Sequence, residues 1–168
     1  NLYSKQTDGS PIEYFKNITY CENNQKVYGI SQGRLYDIHY NNGHILKTQM
    51  KTMSGMDYIV YPLKSKNGYI IGINQDLHIF RQPINFNNNQ LGEILVIANN
   101  VEVTKIAIVH DIIFALGKYD GKVYYTPLYG GLLQLLDTKL EGNIINITIA
   151  NDVLYGINNN NNILKTQI

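Results

Sequence analysis

Ile112-Ile113-Phe114-Ala115-Leu116, then Tyr119-Asp120-Gly121, then Lys122-Val123-Tyr124-Tyr125-Thr126: the reading of this stretch decides the fold of the chain. Two short runs of β-branched, aromatic and aliphatic residues read as strands. The Asp-Gly between them supplies the positive φ angles of a tight hairpin. Working upstream, Thr104 to Val109 is a further strand, turned at His110-Asp111. Working downstream, Gly130-Gly131 turns the chain into Leu132 to Leu136. The segment is therefore a four-stranded antiparallel unit.

The unit recurs. Val27-Tyr28-Gly29-Ile30, Ile70-Ile71-Gly72-Ile73, Ile113-Phe114-Ala115-Leu116 and Leu154-Tyr155-Gly156-Ile157 repeat one phrase, with the small residues spaced by 43, 43 and 41 positions. A fixed period of this size with four strands per repeat is the pattern of propeller blades. The first unit predicts strands at Ile18 to Cys21, Lys26 to Ser31, Arg34 to His39 and His44 to Gln49. The second predicts Tyr58 to Leu63, Tyr69 to Asn74, Leu77 to Gln82 and Glu93 to Ala98. The last has three, at Ile145 to Ala150, Val153 to Asn158 and Asn162 to Gln167, and Ile12 to Lys16 is expected to supply its fourth by terminal-strand closure, which removes exposed edges. Asn1 to Gln6 resembles the strand at Asn162 to Gln167, so the count is one strand more than a closed four-bladed ring needs. It is then a spare arm, or the chain belongs to a larger assembly. The chain opens at Asn1 rather than at a methionine, which leaves open what preceded it. The expected architecture is one all-β domain over 1–168, a β-propeller of four-stranded antiparallel blades. Four blades are preferred and a five-bladed assembly is the rival, with units near 17–57, 58–100, 101–143, and 144–168 plus 1–16.

Asn67 to Pro83, with Gly68-Tyr69-Ile70-Ile71-Gly72-Ile73 followed by Leu77-His78-Ile79-Phe80-Arg81, resembles the second and third strands of a blade in the tachylectin-2 and tectonin-like propellers. Val27 to Tyr36 and Val153 to Lys165 are similar. The resemblance implies a β-propeller and sugar binding. The family's blades carry tryptophans and this chain has none, so no family binding residue is carried over.

Composition narrows the function classes. The net charge is +1 and the basic residues are scattered, so no concentrated positive surface is expected for nucleic acid. No apolar run has the length of a membrane-spanning helix, and membrane insertion is not expected. The single cysteine, Cys21, forms no intramolecular disulfide, which slightly favours a cytoplasmic location while a secreted route stays open. Asn17-Ile18-Thr19 and Asn146-Ile147-Thr148 fit the N-glycosylation pattern, but with 22 asparagines such matches arise by chance.

Catalytic chemistry finds little support. His110-Asp111 has the residue types of acid-base work, but neighbours in a strand or turn point apart, and no nucleophile motif accompanies them. His39 and His44 flank the Asn41-Asn42-Gly43 turn without a carboxylate or cysteine to complete a zinc set. No enzyme activity, metal site or cofactor is expected. The turns between second and third strands, with the links between units, are expected on one face of the ring. They carry amides that both donate and accept, as sugar hydroxyls require, although turns favour the same residue types. The candidate ligand-binding residues are Gln32, Tyr40, Gln75, Asp76, Asn100, Tyr119, Asp120, Asn143 and Asn160, with the tyrosines offering flat apolar faces. The expected function is a non-enzymatic, lectin-like recognition module. The alternative is a protein-interaction scaffold or self-assembling subunit without sugar binding. A glycan or protein ligand is the expected partner, and a homo-oligomer is compatible with the sequence.

Overall fold

The computed structural model describes residues 17–21, 25–31, 34–49, 51–52, 63–66, 68–85, 90–136, 140 and 142–168. The chain is all-β, with no helix among the described residues, and its antiparallel sheets follow one another as four blades of a β-propeller. The first blade pairs β1 (Asn17–Cys21), β2 (Lys26–Ser31), β3 (Arg34–Asn41) and β4 (His44–Gln49) in that order. After β5 (Lys51–Thr52), the second blade pairs β6 (Leu63–Lys66), β7 (Tyr69–Ile73) and β8 (Ile79–Asn85). Its fourth position is shared by β9 (Gln90–Leu91) and β10 (Leu95–Ala98), and β5 runs parallel to β9. The third blade is β11 (Val103–Val109), β12 (Ile112–Gly117), β13 (Val123–Pro127) and β14 (Gln134–Leu135). The fourth contains β15 (Ile144–Ala150), β16 (Val153–Asn158) and β17 (Ile163–Gln167). The closing strand expected at Ile12 to Lys16 and the Asn1 to Gln6 arm lie outside the described residues.

The repeated phrase is the second strand of each blade, and its composition follows from its position. A strand packed between two neighbouring sheets is buried on both faces and reads as a continuous apolar run rather than an alternating one. β7 and β12 behave this way, with Ile70, Ile71, Ile73, Ile113, Phe114 and Leu116 all buried. Among the described residues three apolar clusters form the core, each at a joint between successive blades. Tyr28, Ile30 and Leu35 of the first blade meet Ile70, Phe80 and Ile84 of the second. Ile71, Ile73 and Ile79 meet Ile106, Ile113 and Ala115 of the third. Ala107, Phe114, Leu116 and Val123 meet Ile144, Ile147 and Leu154 of the fourth. At every joint the residue before the small one faces forward along the chain, and the small residue lies on the backward face.

The sequence reading omits β5 and β9, and its Leu132 to Leu136 strand shortens to Gln134–Leu135; two further differences lie in the second blade. The first strand of the second blade is Leu63–Lys66, paired Leu63 to Gly72 and Lys66 to Tyr69, rather than Tyr58 to Leu63. Pro62 lacks the N–H that a ladder position needs, and the backbone pairing carries the polar Lys64-Ser65-Lys66 in its place. β8 runs on through Pro83 to Asn85, where the sequence reading ended the strand at Gln82. Pro83 is accommodated because the fourth strand is broken opposite it: its carbonyl accepts from Gly92 N at 2.8 Å. A Cβ on Gly92 would lie 2.5 Å from Pro83 Cγ, so the missing side chain makes this approach possible. Gln82, buried beside it, donates from Nε2 to the Gly92 carbonyl at 2.7 Å.

Candidate functional site

In the last three blades the turns between second and third strands share one backbone design. In Asn74–His78, the Asn74 side-chain oxygen accepts from Asp76 N and His78 N, both at 3.0 Å, and Asn74 N donates to the His78 carbonyl at 2.9 Å. In Asn158–Asn162, Asn158 Oδ1 accepts from Asn160 N and Asn162 N at 3.0 Å, and Asn158 N donates to the Asn162 carbonyl at 3.1 Å. An asparagine closing a loop on its own backbone in this way is the ordinary reason for the residue at a turn. The third blade replaces it with Gly117 in a turn one residue longer, and Asp120 Oδ1 caps Lys122 N at 3.0 Å. All three turns place one residue in the left-handed region: Leu77 at φ 63°, Gly121 at 62° and Asn161 at 63°. The carbonyls of Leu77 and Gly121 accept from Val103 N and Ile144 N, each at 3.0 Å, at the start of the next blade. These turns and the links that open the third and fourth blades thus occupy one face; the first blade's turn at Gln32 lies outside the described residues.

The candidate residues on that face divide by whether their polar atoms are engaged. Gln75, Asp76 and Asn160 are exposed at turn tips. Tyr119 is also exposed, with the Lys118 ammonium 5.0 Å from its ring centre. Asn100 is tied to the scaffold, because Nδ2 donates to the Leu133 carbonyl at 3.0 Å and Oδ1 accepts from Leu133 N at 2.8 Å. Asp120 accepts from the Tyr124 hydroxyl as well as from Lys122 N. That hydroxyl bond, with burial and the Asp120 charge adding to it, pushes the Tyr124 phenol up to about 12. Asn143 accepts from Asn159 N through its carbonyl at 2.9 Å, and its side chain lies against Gly121. Tyr40 stands apart, exposed beside the Asn42-Gly43 turn at the opposite end of the strands. Gln32 lies outside the described residues.

The histidines are placed differently from a catalytic or metal set. His110 pairs through Nε2 with Asp152 Oδ1 of the next blade at 3.0 Å, both on the exposed turns between first and second strands. His39 is opposite Leu46 and His44 opposite Asn41, so the two rings are offset along the hairpin. No group of three His, Cys, Asp or Glu side chains is arranged to hold a metal ion among the described residues.

A second surface was not singled out by sequence. On the outer rim of the second and third blades, Leu95, Val96, Tyr129, Leu132 and Leu135 are all exposed. Hydrogen bonds hold this rim together: Gly131 N donates to the Ile97 carbonyl at 2.9 Å, and Arg81 reaches across to the Leu128 carbonyl at 3.1 Å while stacking 5.3 Å from the Tyr69 ring centre. The readable signal was the doubled leucines, Leu132-Leu133 and Leu135-Leu136. In a strand over Leu132 to Leu136 adjacent side chains would point to opposite faces, so one of each pair must face out; the observed strand is shorter, Gln134–Leu135. Leu133 is buried in the second joint, whereas Leu132 is exposed.

No protein-family model and no curated protein sequence matches the chain. Solved structures do. The computationally designed Ika4 protein superposes with a TM-score of 0.60 at 12% identity, over 93% of this chain and 92% of that one. The Cps50 (Swd1) β-propeller domain of Myceliophteria thermophila matches at 0.64 and 14%, over 90% of this chain and 50% of that one. YCF48 bound to D1 peptide matches at 0.59 and 13%, over 95% and 52%. The chain thus spans about half the length of the latter two, and these likenesses show the propeller fold.

Proposed function

We propose that this chain is a non-enzymatic protein-interaction propeller whose outer rim on the second and third blades binds an apolar segment of a protein partner. The observation that carries the reading is the set of five large exposed side chains at the outer edges of two successive blades, Leu95 and Val96 on β10 and Tyr129, Leu132 and Leu135 on β14 and the segment leading into it. Large apolar side chains exposed together in this way favour a protein interface. YCF48, a propeller of similar fold, is found with a bound peptide, which supports the same use of the architecture. The polar face is less suited to a ligand, since Asn100 and Asp120 already use their side chains to build the scaffold.

The test is cross-linking of the protein to its partner, with a glycan array run on the same preparation. Cross-links are expected to map to Tyr129, Leu132 and Leu135 and to disappear in a Leu132→Asp, Leu135→Asp double variant that keeps its strand spectrum. Specific glycan binding lost on substitution of Gln75, Asp76 or Asn160 would overturn the reading in favour of a lectin. Cross-links indifferent to the double variant would also overturn it.

A further inference from the structure

The two end blades expose faces that every other blade buries. One position on the third strand is occupied by Leu35, Ile79, Val123 and Ile163 in successive blades, each paired with the last residue of the repeated phrase. The first three are 2%, 0% and 1% exposed, and Ile163 is 76% exposed. A position on the first strand, opposite the small residue of the phrase, holds Ile18, Ile106 and Ile147 in the first, third and fourth blades. Ile106 and Ile147 are 3% and 8% exposed, and Ile18 is 60% exposed. β16 shows the same one-sidedness: buried and half-buried residues alternate along it, whereas β12 is buried on both faces. The forward face of the fourth blade is therefore open at Ile163, and the backward face of the first at Ile18 and Tyr20, while Gly29 and Ser31 further along that face are buried; no apolar cluster joins the two faces among the described residues.

We propose that a second copy of this chain covers both faces, so that two four-bladed chains close head to tail into one continuous propeller. The open faces are the two halves of the joint already built three times within the chain. At the first joint Tyr28 on the forward face packs with Ile70 and Phe80, the residues that flank or pair with Gly72 on the backward face. The fourth blade offers Tyr155, Ile157 and Ile163 forward, and the first offers Ile18, Tyr20 and Val27 backward. A heterologous contact of this kind gives a closed ring when the rotation completes a turn, and a filament otherwise. The chain superposes over 90% of its length on 50% of the Cps50 propeller, so its four blades subtend about half a turn and two copies complete it. This proposal is independent of the outer rim.

Sedimentation equilibrium of the chain tests it. The expected species has twice the 19.2 kDa chain mass, dissociating on dilution. Ile163→Asp and Ile18→Asp, each placing an unpaired charge in both joints of the dimer, are expected to weaken association by at least about tenfold. Because both side chains are exposed in the single chain, each variant should keep the strand spectrum of the parent. A mixture of the two variants should associate more tightly than either alone, since one of its two joints is then unaltered. A 19.2 kDa monomer at every concentration would overturn the proposal, leaving the faces to other occupants. A dimer insensitive to both substitutions, or a species that grows beyond two copies, would overturn it as well.

Discussion

Tyr124 and Asp120 show how a residue chosen from sequence as a ligand contact is spent on the turn that carries it. The Asp120 carboxylate holds the Tyr124 hydroxyl and the Lys122 amide together, which is why the phenol ionises only at about 12. A group whose folded value lies above its ordinary 10.0 contributes its stabilisation in full below that pH and loses it as pH rises toward 12. Asp120→Asn is expected to bring the Tyr124 titration back toward 10, read by NMR of ring-labelled tyrosine. An unchanged titration would show that the carboxylate is not its cause. Sequence could identify Asp120-Gly121 as a turn, and Gly121 does adopt φ 62°. It could not show that the carboxylate was already occupied, because Tyr124 reaches it only once the hairpin has closed.

At the level of strands and turns, the links between blades are stitched as firmly as the blades themselves. Asn100, from the link after β10, makes a two-point amide contact with the backbone of Leu133 on the outer side of the third blade. Asn100→Ala leaves that N–H and carbonyl without their partner and is expected to cost about 1–3 kcal/mol, seen as a fall in Tm of roughly 2–4 °C per kcal/mol. A change within the error of the melting curve would mean that solvent replaces the contact. Most strands were legible because their apolar runs are short and punctuated by Gly and Asn. β6 was not, since its ladder is made by backbone at Lys64-Ser65-Lys66 and the more apolar Tyr58 to Leu63 drew the assignment. The outer rim was missed for the converse reason: apolar residues in a strand read as core, and only packing reveals that Leu132 and Leu135 face out.

At the scale of the whole molecule, the number of blades followed from the period, while the state of the end faces did not. Periodicity reports that Ile18 and Ile163 occupy core positions of the repeat; it carries no information on whether a neighbour is present to cover them. If a second copy does so, folding and association are linked, and Tm is expected to rise with protein concentration. The rise should vanish in Ile163→Asp, and calorimetry at two concentrations checks both points; a concentration-independent Tm in the parent would count against the linkage. The turns at Asn74–His78, Gly117–Lys122 and Asn158–Asn162 have a different consequence. Three unlike residues, Leu77, Gly121 and Asn161, hold the same backbone angle, and main-chain bonds share the bracing with the side chains of Asn74, Asp120 and Asn158. Gln75, Asp76, Tyr119 and Asn160 are exposed and brace none of these turns through their side chains, so they are positions where a randomised library can be displayed, with new binding specificities selected on the frame.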